Sequence, residues 1–289
     1  MFEYTKNNHF AYGYNNIWFT NRKGESDVFT CKYGKCFNKL SFRESNRNAA
    51  VLISKNKNPI RLLISGGGDS EIMARSFIDA NIKFDAAIMR YKVANRIVNE
   101  YDIIYAINFC RNNNIVYKFY DLNILDGNWD FDYTIIQSAQ ANNPHIFSHM
   151  WLMKKVCDDG FIPVVGQGDP FMYYLNGNLI FRERENICSW YKFVINNDLQ
   201  AIPAFYHYTP EQLYAFISDC PIPENNTNEV CKQQFYKQCY PEYIIRNKRT
   251  GTENLTNLSL IETQLDPMAL FCKEEYRLDY KQIKEMLIA

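Results

Sequence analysis

Apolar and polar positions change period several times along the chain. Residues 1–40 are rich in Tyr, Phe, Asn and Gly, and hold the short apolar segments IWFT and DVFTCKY, parted by NRKGES. That pattern predicts short strands and turns. Ser41 and Glu44 have capping-box spacing ahead of good helix formers that run to about Ile53, which predicts a lead-in helix. An alternation then begins. IRLLIS predicts a strand, 70–80 a helix, KFDAAIMRY a strand, 99–113 a helix, IVYKFYDL a strand, 131–158 a helical region and FIPVVG a fourth strand. Strands alternating with helices imply right-handed crossovers and an α/β fold with a mostly parallel, doubly wound sheet. YYLNGNLIF sets Asn-Gly between two apolar runs and predicts a hairpin within 171–184. Beyond 201 the chain reads as helices and loops punctuated by Pro203, Pro210, Pro221, Pro223 and Pro241. The expected organisation is a β-like preface with its helix over 1–57, an α/β core over 58–200 and a helical, loop-rich extension over 201–289.

At the junction of the first core strand and its helix the sequence reads Ser65-Gly66-Gly67-Gly68-Asp69-Ser70, placing three of the chain's 12 glycines together. Ligands of doubly wound sheets bind at the carboxyl ends of the strands, where Ser65 falls. Glycines there let backbone amides converge on an anion, and the positive end of the following helix points at the same place. The hydroxyls of Ser65 and Ser70 add hydrogen-bonding groups. A carboxylate beside a phosphate is repulsive unless a cation lies between them, so Asp69 implies Mg2+. The segment therefore reads as a cradle for a polyphosphate and magnesium. It lacks the Gly-Lys-Ser/Thr ending of a Walker loop and the G-x-G-x-x-G spacing of dinucleotide folds.

Composition narrows the function classes. Lys and Arg total 32 against 32 Asp and Glu, so no global basic field points to bulk nucleic-acid binding. Nine cysteines are scattered without a Cys-x-x-Cys pair, and MFEYTKNNHF lacks the apolar stretch of a secretory signal, so a reducing cytoplasm is expected. No window approaches the length of a membrane span. The aromatic content, 16%, points to a well-filled core.

The loop resembles the SGGxDS signature of PP-loop ATP pyrophosphatases, whose fold is HUP-like, and the chain is most similar to the synthetase domain of asparagine synthases. Two further segments carry the resemblance, which covers about residues 58–175. NEYDIIYAINFC matches an acidic opening to a helix containing alanine, through Glu100, Asp102 and Ala106. VVGQGDPFMYY stands where the family has G-E-G-x-D-E, through Gly166, Gln167, Gly168 and Asp169. There Gln167 replaces the glutamate, and Asp169 falls one position early, followed by Pro170. Gln-Gly at this place is also similar to the GMP synthetase branch.

The resemblance implies an ATP-dependent, AMP-forming ligase. An acceptor oxygen attacks the α-phosphorus, pyrophosphate leaves, and ammonia or an amine displaces AMP. It implies adenine near Ile64 and Met89, nucleotide contacts from Gly166, Gln167 and Gly168, and Asp169 as a second metal ligand beside Asp69. It also implies late basic residues over the triphosphate, for which Lys232, Arg246 and Lys248 are the candidates; Lys237 and Arg249 lie in the same basic span, whose other reading is a solvated surface. The acceptor would be a small molecule, through a carboxylate or a base carbonyl. Asparagine synthases begin with a glutamine-hydrolysing cysteine, whereas this sequence begins Met1-Phe2 with about 57 residues before the core. Free ammonia, an amine or a separate amidotransferase is therefore the expected nitrogen source. Two alternatives belong to the same superfamily, namely modification of a tRNA or deazapurine base and a non-catalytic nucleotide-binding module.

Other groups read as structural. His145 and His149 lie four apart, on one helical face, without the glutamate of H-E-x-x-H. Cys31 with Cys36, and Cys231 with Cys239, lack recognised metal spacing. Arg182, Glu183, Arg184 and Glu185 alternate in sign, which predicts an exposed edge strand with cations on one side and anions on the other.

Overall fold

The computed structural model describes residues 9–93, 96–125, 128–129, 137–141, 144–220, 228–246 and 267–288. The chain opens with β1 (Phe10–Tyr14), β2 (Ile17–Trp18) and β3 (Phe29–Tyr33), an antiparallel sheet in the order β2-β1-β3. Its alternate residues Phe10, Tyr12, Tyr14, Phe29, Cys31 and Tyr33 are all buried, the period-2 signature of a sheet with one face on a core. α1 (Phe42–Ile53) starts on the predicted capping box: Ser41 Oγ accepts from Glu44 N at 3.3 Å, and the Glu44 carboxylate accepts from Ser41 N at 3.1 Å.

The core follows as β4 (Ile60–Leu63), α2 (Gly68–Asp79), β5 (Asp85–Val93), β6 (Arg96–Ile97), α3 (Glu100–Asn112), β7 (Tyr117–Leu125), β8 (Asn128–Trp129), α4 (Pro144–Asp158) and β9 (Ile162–Val165). β7, β5, β4 and β9 are parallel neighbours in that order, while β8 and β6 join β7 and β5 antiparallel. The helix expected over 131–158 is seen over Pro144–Asp158; residues 130–136 and 142–143 lie outside the described residues.

Helices cover both faces of this sheet. Leu62, Ile64, Ala86, Ile88 and Val164 pack with Ile72 and Phe77 of α2 and Ile103 and Phe109 of α3. Their sequence neighbours Leu63, Ala87, Met89 and Val165 point to the other face, with Phe147, Met150 and Met153 of α4. A strand buried on both sides is apolar at nearly every position, which is why β9 reads as an unbroken apolar run and β4 is interrupted by Arg61 alone, whose guanidinium pairs with Asp85 and Asp159. The chain steps outward from β4 to β5 to β7 and then returns through α4 to the opposite flank of β4. The order therefore reverses between β4 and β9, and the loops that leave these two strands part to form a crevice.

β10 (Phe171–Leu175) and β11 (Asn178–Arg184) form the predicted hairpin, with Asn176 and Gly177 both at positive φ, 51° and 81°, as a type I′ turn requires. After α5 (Cys188–Asn196), α6 (Pro210–Asp219) and α7 (Asn228–Cys239), the chain returns as β12 (Glu275–Asp279), which pairs antiparallel with β11, and ends in α8 (Tyr280–Leu287). The extension is thus helical with one strand added.

That strand corrects the expected exposed edge, because β11 is the centre of the sheet β10-β11-β12. Alternation holds, but the carboxylates face inward. Buried Glu183 accepts from Tyr33 Oη at 3.1 Å and meets His207 Nε2 at 3.1 Å. Glu185 accepts from Arg22 Nε at 2.9 Å and from Tyr14 Oη at 2.6 Å. The N-terminal sheet is therefore part of the same core as the α2 face. No helix among the described residues is long and apolar enough to cross a membrane.

Candidate active site

Two close approaches account for glycines at the crevice. Gly66 has φ +86°, and a Cβ there would lie 2.4 Å from the Asp102 carbonyl oxygen, so the loop leaving β4 passes directly beneath the first turn of α3. A Cβ at Gly166, on the loop leaving β9, would lie 3.0 Å from Ser70 Cα. The two loops thus touch at the start of α2.

Ser70 fastens the first loop: its Oγ donates to the Gly67 carbonyl at 3.0 Å and accepts from Ser65 N at 3.2 Å. Gly67 caps α2 without a side-chain bond. The amides of Gly68, Asp69 and Ser70 precede the first intrahelical bond, Glu71 N to the Gly67 carbonyl at 3.1 Å, so they are the donors that every helix start leaves without an intrahelical acceptor. With the positive end of the helix dipole they face the cavity.

Asp69 is held on three sides. Oδ1 accepts from Tyr236 Oη at 2.7 Å and lies 3.0 Å from Lys232 Nζ, while its carbonyl accepts from Tyr206 Oη at 2.7 Å. Lys232 Nζ also lies 2.8 Å from Asp169 Oδ2, so one ammonium joins an aspartate from each loop. Phe42 stacks near-parallel on both tyrosines, with interplanar angles of 11° and 7°, and holds the two hydroxyls in place. Burial, and then the Asp69 charge, push both phenols well above the usual tyrosine range, so they remain protonated donors. Burial raises Asp169 above the ordinary carboxylate range; Lys232 opposes that and Asp69 adds to it. Burial lowers Lys232, but Asp169 and Asp69 outweigh it and hold the ammonium above its usual value.

The cavity has a volume of about 230 Å³. Leu63, Ala87, Met89, Leu152 and Val165 form an apolar part, and the loop residues Ser65, Gly67, Gly68, Asp69 and Ser70 form an anion-receptive part. Gly166 and Gln167 line it from the second loop, and Arg246 from the C-terminal region. Arg246 pairs with buried Glu71, and its guanidinium stacks over the Tyr105 ring at 4.8 Å from the centroid. Burial lowers its pKa without removing its charge. Asn99, just ahead of α3, ties back to β5: its amide donates to the Met89 carbonyl at 3.0 Å and its oxygen accepts from Tyr91 N at 3.0 Å.

Of the residues expected from sequence, Ser65, Gly67, Gly68, Asp69, Ser70, Met89, Gly166, Gln167 and Arg246 therefore meet at one cavity, with Lys232 joining Asp69 to Asp169 beside it. Gly66 lies behind the loop against α3, and Gly168 against His207 and Ala204. Lys237 donates to the Pro241 carbonyl. Lys248 and Arg249 lie outside the described residues.

Not expected from sequence were Tyr206 and Tyr236, which bind Asp69, and the histidines at 145 and 149, which line the cavity. The tyrosines carried no local signal. The histidines did carry one: a crossover helix begins at the edge where parallel strands end, so the first turns of α4 had to lie beside the glycine loop.

Magnesium suits this donor set. Two carboxylates share one ammonium and leave one net negative charge beside the loop, and Mg2+ is usually held by one or two carboxylates together with substrate phosphates. Among the described residues there is no group of three or more His, Cys, Asp or Glu side chains able to cage a metal by themselves. Asp69 and Asp169 would hold the ion jointly with a polyphosphate.

Fold and site define a doubly wound α/β protein with an anion-receptive glycine loop at the reversal of its strand order. No protein-family model matches the chain, and no curated protein matches it in sequence. Among solved structures it is similar to the U34-tRNA thiolase NcsA from Methanococcus maripaludis with its [4Fe-4S] cluster, at 13% identity over 84% of this chain and 80% of that one, with a TM-score of 0.37. It is also similar to the NH3-dependent NAD synthetase from Campylobacter jejuni, at 12% identity over 81% of this chain and 97% of that one, TM-score 0.35. A third is the NMN synthetase from Francisella tularensis, at 12% identity over the same shares, TM-score 0.33.

Proposed function

We propose that the protein is a magnesium- and ATP-dependent ligase of the PP-loop kind, forming AMP and pyrophosphate, that adenylates an oxygen of a small-molecule acceptor and lets ammonia or an amine displace AMP. The observation that carries this reading is the convergence of the start of α2 and Arg246 on one part of a cavity whose other part is apolar, with Lys232 bound to Asp69 beside it. ATP divides in the same way, into a flat base and a chain of phosphates. The amides of Gly68, Asp69 and Ser70 receive the pyrophosphate portion, and Leu63, Ala87, Met89 and Val165 enclose the adenine.

Pyrophosphate gains negative charge as it leaves. Preorganised amides and cations aimed at that charge favour the transition state over bound ATP. Magnesium, when bound, supplies further neutralisation of phosphate charge. Lys232 and Arg246 have complementary parts in this reading. Lys232 is a point charge already seated between two carboxylates. Arg246 offers a planar fork to phosphate oxygens, fixed by Glu71 and the Tyr105 ring. No general base is needed for adenylation by an ionised acceptor, so this half-reaction is positioning and charge stabilisation.

Incubation of the protein with ATP, Mg2+ and the low-molecular-weight fraction of a cell extract, followed by mass spectrometry, tests the reading. Release of pyrophosphate and AMP with one extract component consumed is expected. Release of ADP and orthophosphate overturns it.

A further inference from the structure

The adenylation reading leaves the nucleophile's protons without a destination. Ammonia and most amines are protonated at neutral pH, and the nitrogen that displaces AMP must shed its protons to become an amide nitrogen. A base with a pKa near the working pH, in contact with the nucleophile, removes that barrier.

The titratable side chains lining the cavity are Asp69, Tyr91, Asp102, His145, His149 and Arg246. Asp69 is taken up by Lys232 and Tyr236. Tyr91 is bonded to Ser148 Oγ at 2.8 Å, and burial pushes its phenol up to about 12, so it is no base. Asp102 is buried in the first turn of α3, directly over Gly66 of the glycine loop. Arg246 is cationic. The chain has four histidines; His9 is buried beside Tyr33 in the N-terminal sheet, and His207 stacks on Phe10 and meets Glu183. Among the described residues, the two histidines of α4 are the cavity-lining side chains of the type that exchanges protons near neutral pH.

They are also well positioned. His145 and His149 rings stand 4.3 Å apart, centroid to centroid, at 61°, and His149 stacks on buried Trp190 at 5.9 Å. Ser148 Oγ donates to the His145 carbonyl at 2.8 Å and ties this turn to Tyr91 at the end of β5. The first turns of α4 are thus pinned to the sheet edge that also carries the glycine loop.

We propose that the imidazole pair His145 and His149 is the general base of the second, amide-forming step. The nucleophile's nitrogen forms a bond to the acceptor carbonyl carbon. The bond from that carbon to the AMP oxygen breaks, and its electron pair leaves on AMP. The ammonium form first gives one proton to an imidazole nitrogen, and from there to solvent, which frees the lone pair that attacks. The second N–H proton, made acidic by the new C–N bond, leaves to solvent. This assignment rests on the adenylation reading, because without a first step there is no AMP to displace.

The test separates the two steps. Wild type and the His145→Gln, His149→Gln and double variants are assayed with the low-molecular-weight fraction of a cell extract as acceptor source. Three readouts are taken: acceptor-dependent exchange of labelled pyrophosphate into ATP, amide formation from ammonium chloride, and hydroxamate formation from hydroxylamine, a nucleophile largely unprotonated at neutral pH. The double variant is expected to keep exchange and hydroxamate formation within about threefold of wild type and to lose amide formation by roughly 10²-fold, the usual contribution of a general base. Parallel loss of exchange would assign the rings to nucleotide or acceptor binding and overturn the proposal. Unchanged amide formation overturns it as well. Absence of exchange in the wild type removes the adenylation reading itself, and the base with it. The single variants carry the test if the double variant does not fold.

Discussion

Lys232 Nζ and Asp169 Oδ2 lie 2.8 Å apart, although they come from α7 and from the loop after β9. The same ammonium reaches Asp69 in the first turn of α2, so a single cation closes the crevice where the strand order reverses. Replacing it by a neutral chain of similar length leaves two neighbouring carboxylates with no counter-charge. The Lys232→Met variant is expected to lose about 1–3 kcal/mol of stability, below the full cost of breaking a wholly buried pair because all three side chains retain 20–32% exposure. Urea unfolding at pH 7 measures it.

The same variant has a signature in pH. Asp169 is raised by burial and by Asp69, and Lys232 is the group that holds it down. A carboxyl whose folded pKa exceeds its unfolded value binds more protons in the native state, so stability rises as pH falls through the interval between the two values. Without Lys232 that interval widens toward neutrality. Lys232→Met is therefore expected to regain stability on acidification from pH 7 to 5 more steeply than wild type. Melting temperatures across that range decide the matter, and parallel profiles for the two proteins count against the assignment.

Gly66→Ala tests the turn beneath α3. The substitution places a side chain at φ +86°, which costs about 1–3 kcal/mol, and drives its Cβ against the Asp102 carbonyl. The loop must shift, and its amides lose their common aim. Weakened binding of ATP, followed by equilibrium dialysis, is expected together with a lower melting temperature. Gly160→Ala serves as a control for the strain term, since Gly160 also has positive φ, +85°, but a Cβ there meets nothing within 4 Å.

Much of this arrangement was legible in the sequence because the governing signals are local. The apolar run of β9, the largely apolar β4, the capping box at Ser41 and the Asn-Gly turn at 176–177 each depend on neighbouring residues only. So does the glycine loop, whose place between a strand and a helix assigned it to the ligand-binding edge. What escaped was long-range. Tyr206 and Tyr236 reach Asp69 across 137 and 167 residues, and the partner strand of β11 arrives some 90 residues later as β12. The inward Glu183 and Glu185 looked like an exposed charge pattern because their partners, Tyr33, His207, Arg22 and Tyr14, lie in other segments.

Arg246 separates charge from geometry. Its guanidinium is fixed by Glu71 on one side and by the Tyr105 ring on the other, so its fork enters the cavity in one orientation. Arg246→Lys keeps the charge but not the planar donors, and lysine stacks poorly on a ring. Both Arg246→Lys and Arg246→Ala are accordingly expected to reduce pyrophosphate release by roughly 10²-fold in kcat, the cost of removing one preorganised donor to a developing charge. Full activity in Arg246→Lys would mean that charge alone suffices and that the fork has no part in the reaction.

The N-terminal sheet, which the sequence marks as a preface to the core, is bound to it through Arg22 and Glu185. Arg22 is only 1% exposed at its side chain, with Nε 2.9 Å from Glu185 Oε1, and it also reaches Glu274, 2.8 Å away. Buried Lys192, its pKa lowered by burial, donates to Tyr14 Oη at 2.7 Å, and Tyr14 in turn donates to Glu185. One carboxylate thus gathers β1, the segment after β2, the approach to α5 and the approach to β12. Arg22→Met removes the guanidinium but leaves Glu185 enclosed, which costs about 3–5 kcal/mol for an unpaired buried charge. The paired change Arg22→Met with Glu185→Gln removes both charges and should recover part of that loss, since a neutral amide still accepts from Tyr14. If the sheet were an independent appendage, the two variants would unfold it alone and leave the melting of the α/β core unchanged. A single cooperative transition that shifts downward in Arg22→Met, and partly back in the double variant, is the outcome expected of one shared core, and calorimetry distinguishes the two.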